Sequence, residues 1–156
     1  MEEKVEIANG KLIPDFTLVK KPNIVIIVAT TGDNKIIILQ EYKHGAEEVL
    51  LCLPAGHVKD TEEPVKSAKR ELEEETGYTS DNFQFIQILR EYPSKDRHKV
   101  FVVKANNIYK IGDQNLDENE SITFELVDIE EVKNQIKNNL WKSSSNLAAM
   151  LVCGIL

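Results

Sequence analysis

The sequence predicts an α/β sandwich, a mixed β-sheet with helices packed on it. Three observations carry that prediction. β-Branched runs of strand length recur along the chain, three other segments carry helix start or stop signals, and the two kinds are interleaved. At 156 residues the chain has the length of one ordinary domain.

In chain order, Lys4–Ile7 and Phe16–Val19 read as a small hairpin across Asn9-Gly10 and Pro14. This divides the chain into a hairpin appendage over 1–20 and a main domain over 21–156. The hairpin either covers a sheet edge or reaches a second subunit. Asn23–Thr30 (NIVIIVAT) and Lys35–Glu41 (KIIILQE) are β-branched runs, and Thr31-Gly32-Asp33-Asn34 between them predicts a hairpin. Val49–Leu53 is a short strand stopped by Pro54. Pro64 suits the first turn of a helix, which good helix formers carry to Thr76 and Gly77 ends. Phe83–Arg90 and Lys99–Ala105 are two further strands around a polar, basic loop, Tyr92–His98, and Ser121–Val127 is the last. Asp128 with Glu131 has a capping-box pattern opening a helix over Ile129–Asn138. Ser143–Ser145 reads as the cap of a terminal helix through Asn146–Val152.

Composition narrows the classes. The balance of 19 basic to 26 acidic residues, net −7, argues against a general nucleic-acid coat or an anionic membrane partner. It leaves room for an anionic small substrate, because a bound metal reverses the local sign. No apolar run is long enough to span a bilayer, and the start Met1-Glu2-Glu3-Lys4 is not a basic signal segment. Cys52 and Cys153 are too few for a disulfide framework and read as reduced thiols, which points to the cytoplasm.

The most informative stretch is Gly56–Tyr78, GHVKDTEEPVKSAKRELEEETGY. At 100° per residue, Val65, Ala68 and Leu72 form an apolar stripe, and Glu71, Glu74 and Glu75 form a neighbouring acidic one. Like charges at that spacing repel unless a cation sits among them, and hard carboxylate oxygens suit Mg²⁺ or Mn²⁺. No partner spacing makes His44 or His57 a zinc ligand, and Trp141 reads as packing.

The stretch matches G-x5-E-x7-R-E-U-x-E-E-x-G-U, where U is bulky and apolar, at seven fixed residues: Gly56, Glu62, Arg70, Glu71, Glu74, Glu75 and Gly77. Were each matched by chance at about 7%, all seven would coincide at about 10⁻⁸ per starting position. The chain thus resembles the Nudix hydrolase family. That resemblance implies a Nudix α/β/α sandwich, with the signature helix on one face of a mixed sheet and the C-terminal helices on the other. It implies that Glu71, Glu74 and Glu75 bind metal with the Ala55 carbonyl. It also implies that Arg70 holds a carboxylate by a forked pair, while Glu62 binds metal indirectly or supports the loop. Tyr78 stands where an aliphatic residue is commoner, a departure that touches packing.

Flanking residues resemble the ADP-ribose pyrophosphatase branch. Leu39-Gln40-Glu41-Tyr42-Lys43-His44-Gly45 and Leu53-Pro54-Ala55-Gly56 look like its QYR-like and LPAG elements, with Lys43 in place of the usual arginine. Tyr42 is either an edge-strand aromatic or a substrate contact, and Lys43 a phosphate contact without the bidentate fork. Leu116–Ile122 resembles that branch's acidic loop, which implies a loop glutamate as general base. Glu118 is the first choice and Glu120 the second. Arg90 and Arg97, from the basic cluster, are expected to meet phosphate or ribose.

Together these readings imply a Mg²⁺-dependent (or Mn²⁺-dependent) pyrophosphohydrolase for a nucleoside diphosphate derivative, first ADP-ribose. Nucleoside triphosphates, dinucleoside polyphosphates and other nucleotide sugars are the alternatives, and a non-catalytic nucleotide-sensing module is a further one. The branch commonly dimerises, so a homodimer is expected.

Overall fold

The computed structural model describes residues 1–156. Its strands are β1 (Glu2–Glu6), β2 (Leu12–Thr17), β3 (Val19–Lys20), β4 (Ile24–Thr30), β5 (Lys35–Lys43), β6 (Glu48–Cys52) and β7 (Ala55–His57). After helix α1 (Pro64–Thr76) come β8 (Tyr78–Thr79), β9 (Asn82–Leu89), β10 (Asp96–Arg97), β11 (Val100–Asn106), β12 (Tyr109–Lys110) and β13 (Ile122–Asp128). Helices α2 (Ile129–Lys137) and α3 (Ser144–Val152) close the chain. The fold is the mixed α/β sandwich that the strand and helix signals predict.

The central sheet has the order β13-β5-β4-β11-β9, with β4 and β11 parallel and the other pairs antiparallel. Alternation along its strands separates two apolar layers. Val25, Ile27, Ala29, Ile37 and Leu39 face Ala68 and Leu72 of α1. Ile26, Val28, Ile36 and Ile38 face Val132, Trp141, Ala149 and Met150 on the side of α2 and α3. The same period places Glu41 and Lys43 on the α1 face beyond Leu39, so the core strand becomes a cavity wall at its end.

The expected hairpin of β4 and β5 forms only at its turn. Thr31 N–H donates to Lys35 O at 2.9 Å, yet Thr30 and Ile36 are the only registered pair between the two strands. The strands then diverge, and Glu48–His57 fills the wedge. β6 pairs with β5 and β7 pairs with β4, while Ile27 N–H donates to Pro54 O across the gap at 2.8 Å. An Asn from the opposite layer pins this insert: Asn146 Oδ1 accepts from Leu53 N–H at 2.6 Å, with both residues buried.

Two expected caps take other partners. Asp128 is still the last residue of β13, and its side chain makes no capping bond to α2. The first helical N–H, of Ile129, donates instead to Asn34 O at 3.1 Å, so the capping box is not needed. Ser143 does not cap α3 through its side chain, because its hydroxyl accepts from Asn146 Nδ2 at 2.7 Å and orients that amide.

β1 and β2 form the N-terminal hairpin, with Gly10 at φ 82° in its turn. The register slips where Pro14, which has no N–H, lies within β2. The hairpin is tied to the loop before β11 rather than to the edge of the central sheet. Arg97 makes a two-pronged ion pair with Glu3 at 2.7 and 2.8 Å, Lys95 lies 4.0 Å over the Phe16 ring, and β3 pairs with β10.

Replacing Asn146 by Ala strands the buried Leu53 N–H and is expected to lower stability by about 1–3 kcal/mol. Urea denaturation checks this, and an unchanged midpoint would show that the wedge holds without the amide.

Candidate active site

Helix α1 presents its acidic stripe to the wedge. It begins with Pro64 and ends at Gly77, whose φ of 71° and N–H bond to Glu73 O at 2.9 Å give a left-handed stop. A side chain at Gly77 would also strike Gly112 O. The following segment is drawn onto this helix end. Asn115 N–H donates to Glu74 O at 2.8 Å, and Gln114 Nε2 donates to Glu75 O at 2.7 Å and Ile122 O at 3.2 Å. Asp117 and Glu120, a few residues on, therefore arrive beside the helix carboxylates.

Gly56 is required by space. A Cβ there would lie 2.0 Å from the carboxyl carbon of Glu71, so the β7 backbone and that side chain touch as closely as chemistry allows. One residue earlier, Ala55 N–H donates to Glu75 Oε2 at 3.0 Å. Glu71 and Glu75 are both buried, at 9% and 4% exposure. Burial pushes the Glu75 carboxyl up to about 9 against the opposing Ala55 bond, and the nearby Glu71, Glu41 and Glu120 charges push the same way. Burial also raises Glu71, while Arg70 pulls it down.

Arg70 organises this group. Its Nε and Nη2 fork onto the two oxygens of Glu62 at 3.3 and 3.2 Å, and Nη2 also reaches His57 O at 3.1 Å. Its Nη1 bonds Glu71 Oε1 at 2.7 Å and Glu74 Oε2 at 3.2 Å. The guanidinium, followed by the Ser67 hydroxyl, holds Glu62 down at about 2. Glu62 in turn accepts from Lys59 N–H at 3.4 Å, so it braces the glycine loop from α1.

These groups line a cavity of about 410 Å³. Four walls contribute: Glu41 and Lys43 from β5, Ala55, Gly56, His57 and Lys59 from β7 and its loop, Arg70, Glu71, Glu74 and Glu75 from α1, and Asp117 with Glu120. Of the residues expected from sequence, Lys43, Ala55, Arg70, Glu71, Glu74, Glu75 and Glu120 meet here. Glu118, the first choice for the loop base, does not line the cavity, whereas Glu120 does. The turn explains it: Glu120 folds back to accept from Asp117 N–H at 3.1 Å and donates its own N–H to Asp117 O at 2.9 Å. Tyr42 lies on the opposite face of β5 from Glu41 and Lys43, edge-on to His44 at 5.1 Å between centroids. Arg90 donates to His98 O at 2.8 Å and lines a separate depression with Lys21 and Ser144. Arg97 is committed to Glu3 in the hairpin. Neither arginine lines the carboxylate cavity.

Glu41, Asp117 and Lys59 also line it, though nothing in the sequence reading assigned them a role. Strand alternation from the core residue Leu39 was the signal for Glu41. Asp117 and Lys59 sit on loops, where no periodicity exists to reveal direction.

As they stand, no three His, Cys, Asp or Glu side chains form a ready metal cage. The reason is visible, since Arg70 Nη1 draws Glu71 and Glu74 to itself. The donor chemistry fits a hard divalent cation all the same. Six carboxylates line the cavity, and two of them are buried with raised proton affinity, a state that a cation relieves.

Comparison with known proteins agrees with this geometry. The NUDIX domain family model matches residues 20–148. The chain is 34% identical over 130 residues to the ADP-ribose pyrophosphatase of Bacillus subtilis (strain 168), covering 83% of this chain and 70% of that protein. It is 28% identical over 149 residues to the methanol dehydrogenase activator of Bacillus methanolicus, covering 95% of this chain and 80% of that one. Among solved structures, an ADP compounds hydrolase superposes with a TM-score of 0.80 at 23% identity, over 96% of this chain and 80% of that chain, a likeness of fold.

Glu75 sets a pH dependence in the metal-free protein. Its folded value near 9 lies above the ordinary 4.5, so folding takes up a proton. The stability it contributes is complete below about pH 4.5 and is lost as pH rises towards 9. In chelator, Glu75→Gln is therefore expected to match wild type at low pH and to exceed it by up to roughly 3 kcal/mol at pH 7. Denaturation midpoints across that range check it, and parallel curves for the two proteins would mean that Glu75 is ionised in the metal-free fold.

Proposed function

This chain belongs to the NUDIX family and is a Nudix hydrolase of a nucleotide-derived diphosphate, and on that premise we propose that its substrate is ADP-ribose, cleaved to AMP and ribose 5-phosphate. The observation that carries the reading is the meeting of the α1 carboxylates, Glu120 and Lys43 on one polar cavity. Support for the substrate comes from the Glu41-Tyr42-Lys43 and Leu53-Pro54-Ala55-Gly56 elements and from the name of the 34%-identical relative.

Glu71, Glu74, Glu75 and the Ala55 carbonyl would hold Mg²⁺, with Mn²⁺ as a substitute. The cation, when bound, neutralises diphosphate charge and acidifies water. The chain's own part is to place the other groups. Arg70 keeps the carboxylates on one side of the cavity, and Lys43 contacts the substrate from the β5 wall. Glu120, carried beside α1 by the Gln114 and Asn115 bonds, takes the proton as water attacks phosphorus. The electron pair of the broken P–O bond leaves on the released phosphate.

We place this activity in the cytoplasm, where the buried free thiols Cys52 and Cys153 stay reduced. The ligand is a small nucleotide, with neither nucleic acid nor membrane as partner. We further assign the working form as a homodimer in which the hairpin takes part.

Two tests follow from these assignments. A product-resolved screen of nucleoside diphosphate derivatives in Mg²⁺ and Mn²⁺ is expected to give AMP and ribose 5-phosphate from ADP-ribose, with Glu75→Gln at least about 10²-fold slower. Release of inorganic pyrophosphate would point to triphosphates, other cleavage products to dinucleoside polyphosphates or other nucleotide sugars, and tight binding without hydrolysis to a sensing module. Near wild-type turnover by Glu75→Gln would sink the metal assignment. For the dimer, sedimentation of a chain lacking Met1–Val19 is expected to give monomers where the full chain gives dimers. A monomeric full chain would end that proposal.

A further inference from the structure

The three cations of the cavity are not equivalent. Arg70 spends its donors on Glu62, Glu71, Glu74 and His57 O. Lys43 Nζ lies 2.5 Å from Glu41 Oε2, and the two form a neutral pair on β5. Lys59 has no ion pair, although it lines the same cavity from the glycine-loop wall. The base of its side chain is nonetheless held. Lys59 N–H donates to Glu62 Oε2 at 3.4 Å, and its carbonyl accepts from Glu62 N–H at 3.0 Å. Glu62 is itself clamped by Arg70, so the free ammonium springs from a braced turn.

An anionic substrate entering a cavity with six carboxylates meets one uncommitted positive charge. A phosphate gains a full ion pair at Lys59, whereas at Lys43 it must first compete with Glu41. The Glu41–Lys43 pair offers an acceptor and a donor side by side with no net charge, which suits adjacent hydroxyls. A further phosphate placed there would face the Glu41 carboxylate.

Building on the diphosphate-hydrolase reading above, we propose that Lys59 is a substrate-binding residue that takes a diphosphate oxygen. In the same proposal the Glu41–Lys43 pair receives the hydroxyls of the sugar. This orients the substrate across the cavity, with diphosphate towards the glycine loop and sugar towards β5. It selects nucleoside diphosphate sugars over nucleoside triphosphates.

Steady-state kinetics on ADP-ribose in Mg²⁺ tests it. Lys59 is exposed, so its replacement leaves the fold in place. Lys59→Ala is expected to raise KM on the order of tenfold with kcat within about twofold, and Lys59→Arg to restore most of the loss. The wild-type KM should climb with ionic strength and that of Lys59→Ala should not. Glu41→Gln, which uncouples Lys43, is expected to shift the ratio of kcat/KM from ADP-ribose towards ATP by about tenfold. An unchanged KM in Lys59→Ala, or an unchanged ratio in Glu41→Gln, overturns this inference while hydrolysis by the wild type leaves the family activity standing. A wild type that hydrolyses no nucleoside diphosphate derivative overturns both.

Discussion

The structure turns on the contact between the β7 backbone and the acidic stripe of α1. Gly56 leaves room for the Glu71 carboxylate where any Cβ would overlap it, and Ala55 N–H ties Glu75 to the same strand. Neither contact forms unless β7 lies inside the wedge between β4 and β5. The wedge in turn needs those strands to part after Thr30 and Ile36. A hairpin paired along its whole length would leave no gap for Leu53-Pro54-Ala55, and the α1 carboxylates would face an ordinary sheet. The divergence is therefore a condition of the site, and Asn146 secures it from the far side of the sheet.

Burying carboxylates beside one another is costly, and the chain answers the cost in two ways. Arg70 touches three glutamates and a carbonyl, so one guanidinium stands among the like charges that α1 brings together. Glu75 lies beyond its reach, and the single Ala55 N–H bond does not offset its burial, so proton uptake relieves the rest. This split is useful for binding a cation. Glu71 and Glu74 start bonded to Arg70, and Glu75 starts with a proton, so each is held in place by something that a divalent ion can displace.

Much of the site was legible in the sequence because it rests on short-range geometry. Helical spacing alone put Glu71, Glu74 and Glu75 on one edge of α1, and Pro64 and Gly77 marked where that helix begins and ends. Arg90, Arg97 and Glu118 were harder, since charge and nearness along the chain do not give direction. Arg97 faces the hairpin because Glu3, 94 residues away, meets it there. The capping box at Asp128 failed for a related reason. A carbonyl from the β4–β5 turn satisfied the helix end first, and no local pattern announces a tertiary competitor.

The loop that carries Asp117 and Glu120 shows how the two scales join. Its sequence is an acidic turn with no periodicity, and read alone it is only a solvated loop. Gln114 and Asn115 bond it to carbonyls of Glu75 and Glu74, the backbone of the same turn whose side chains line the cavity. Gln114 also bonds Ile122 O at the start of β13, which itself pairs with Glu41. The loop is thus suspended between the helix that supplies the carboxylates and the strand that supplies the Glu41–Lys43 pair. Its reach into the cavity follows from those two attachments. A side chain at position 120 lines the cavity, and one at 118 does not.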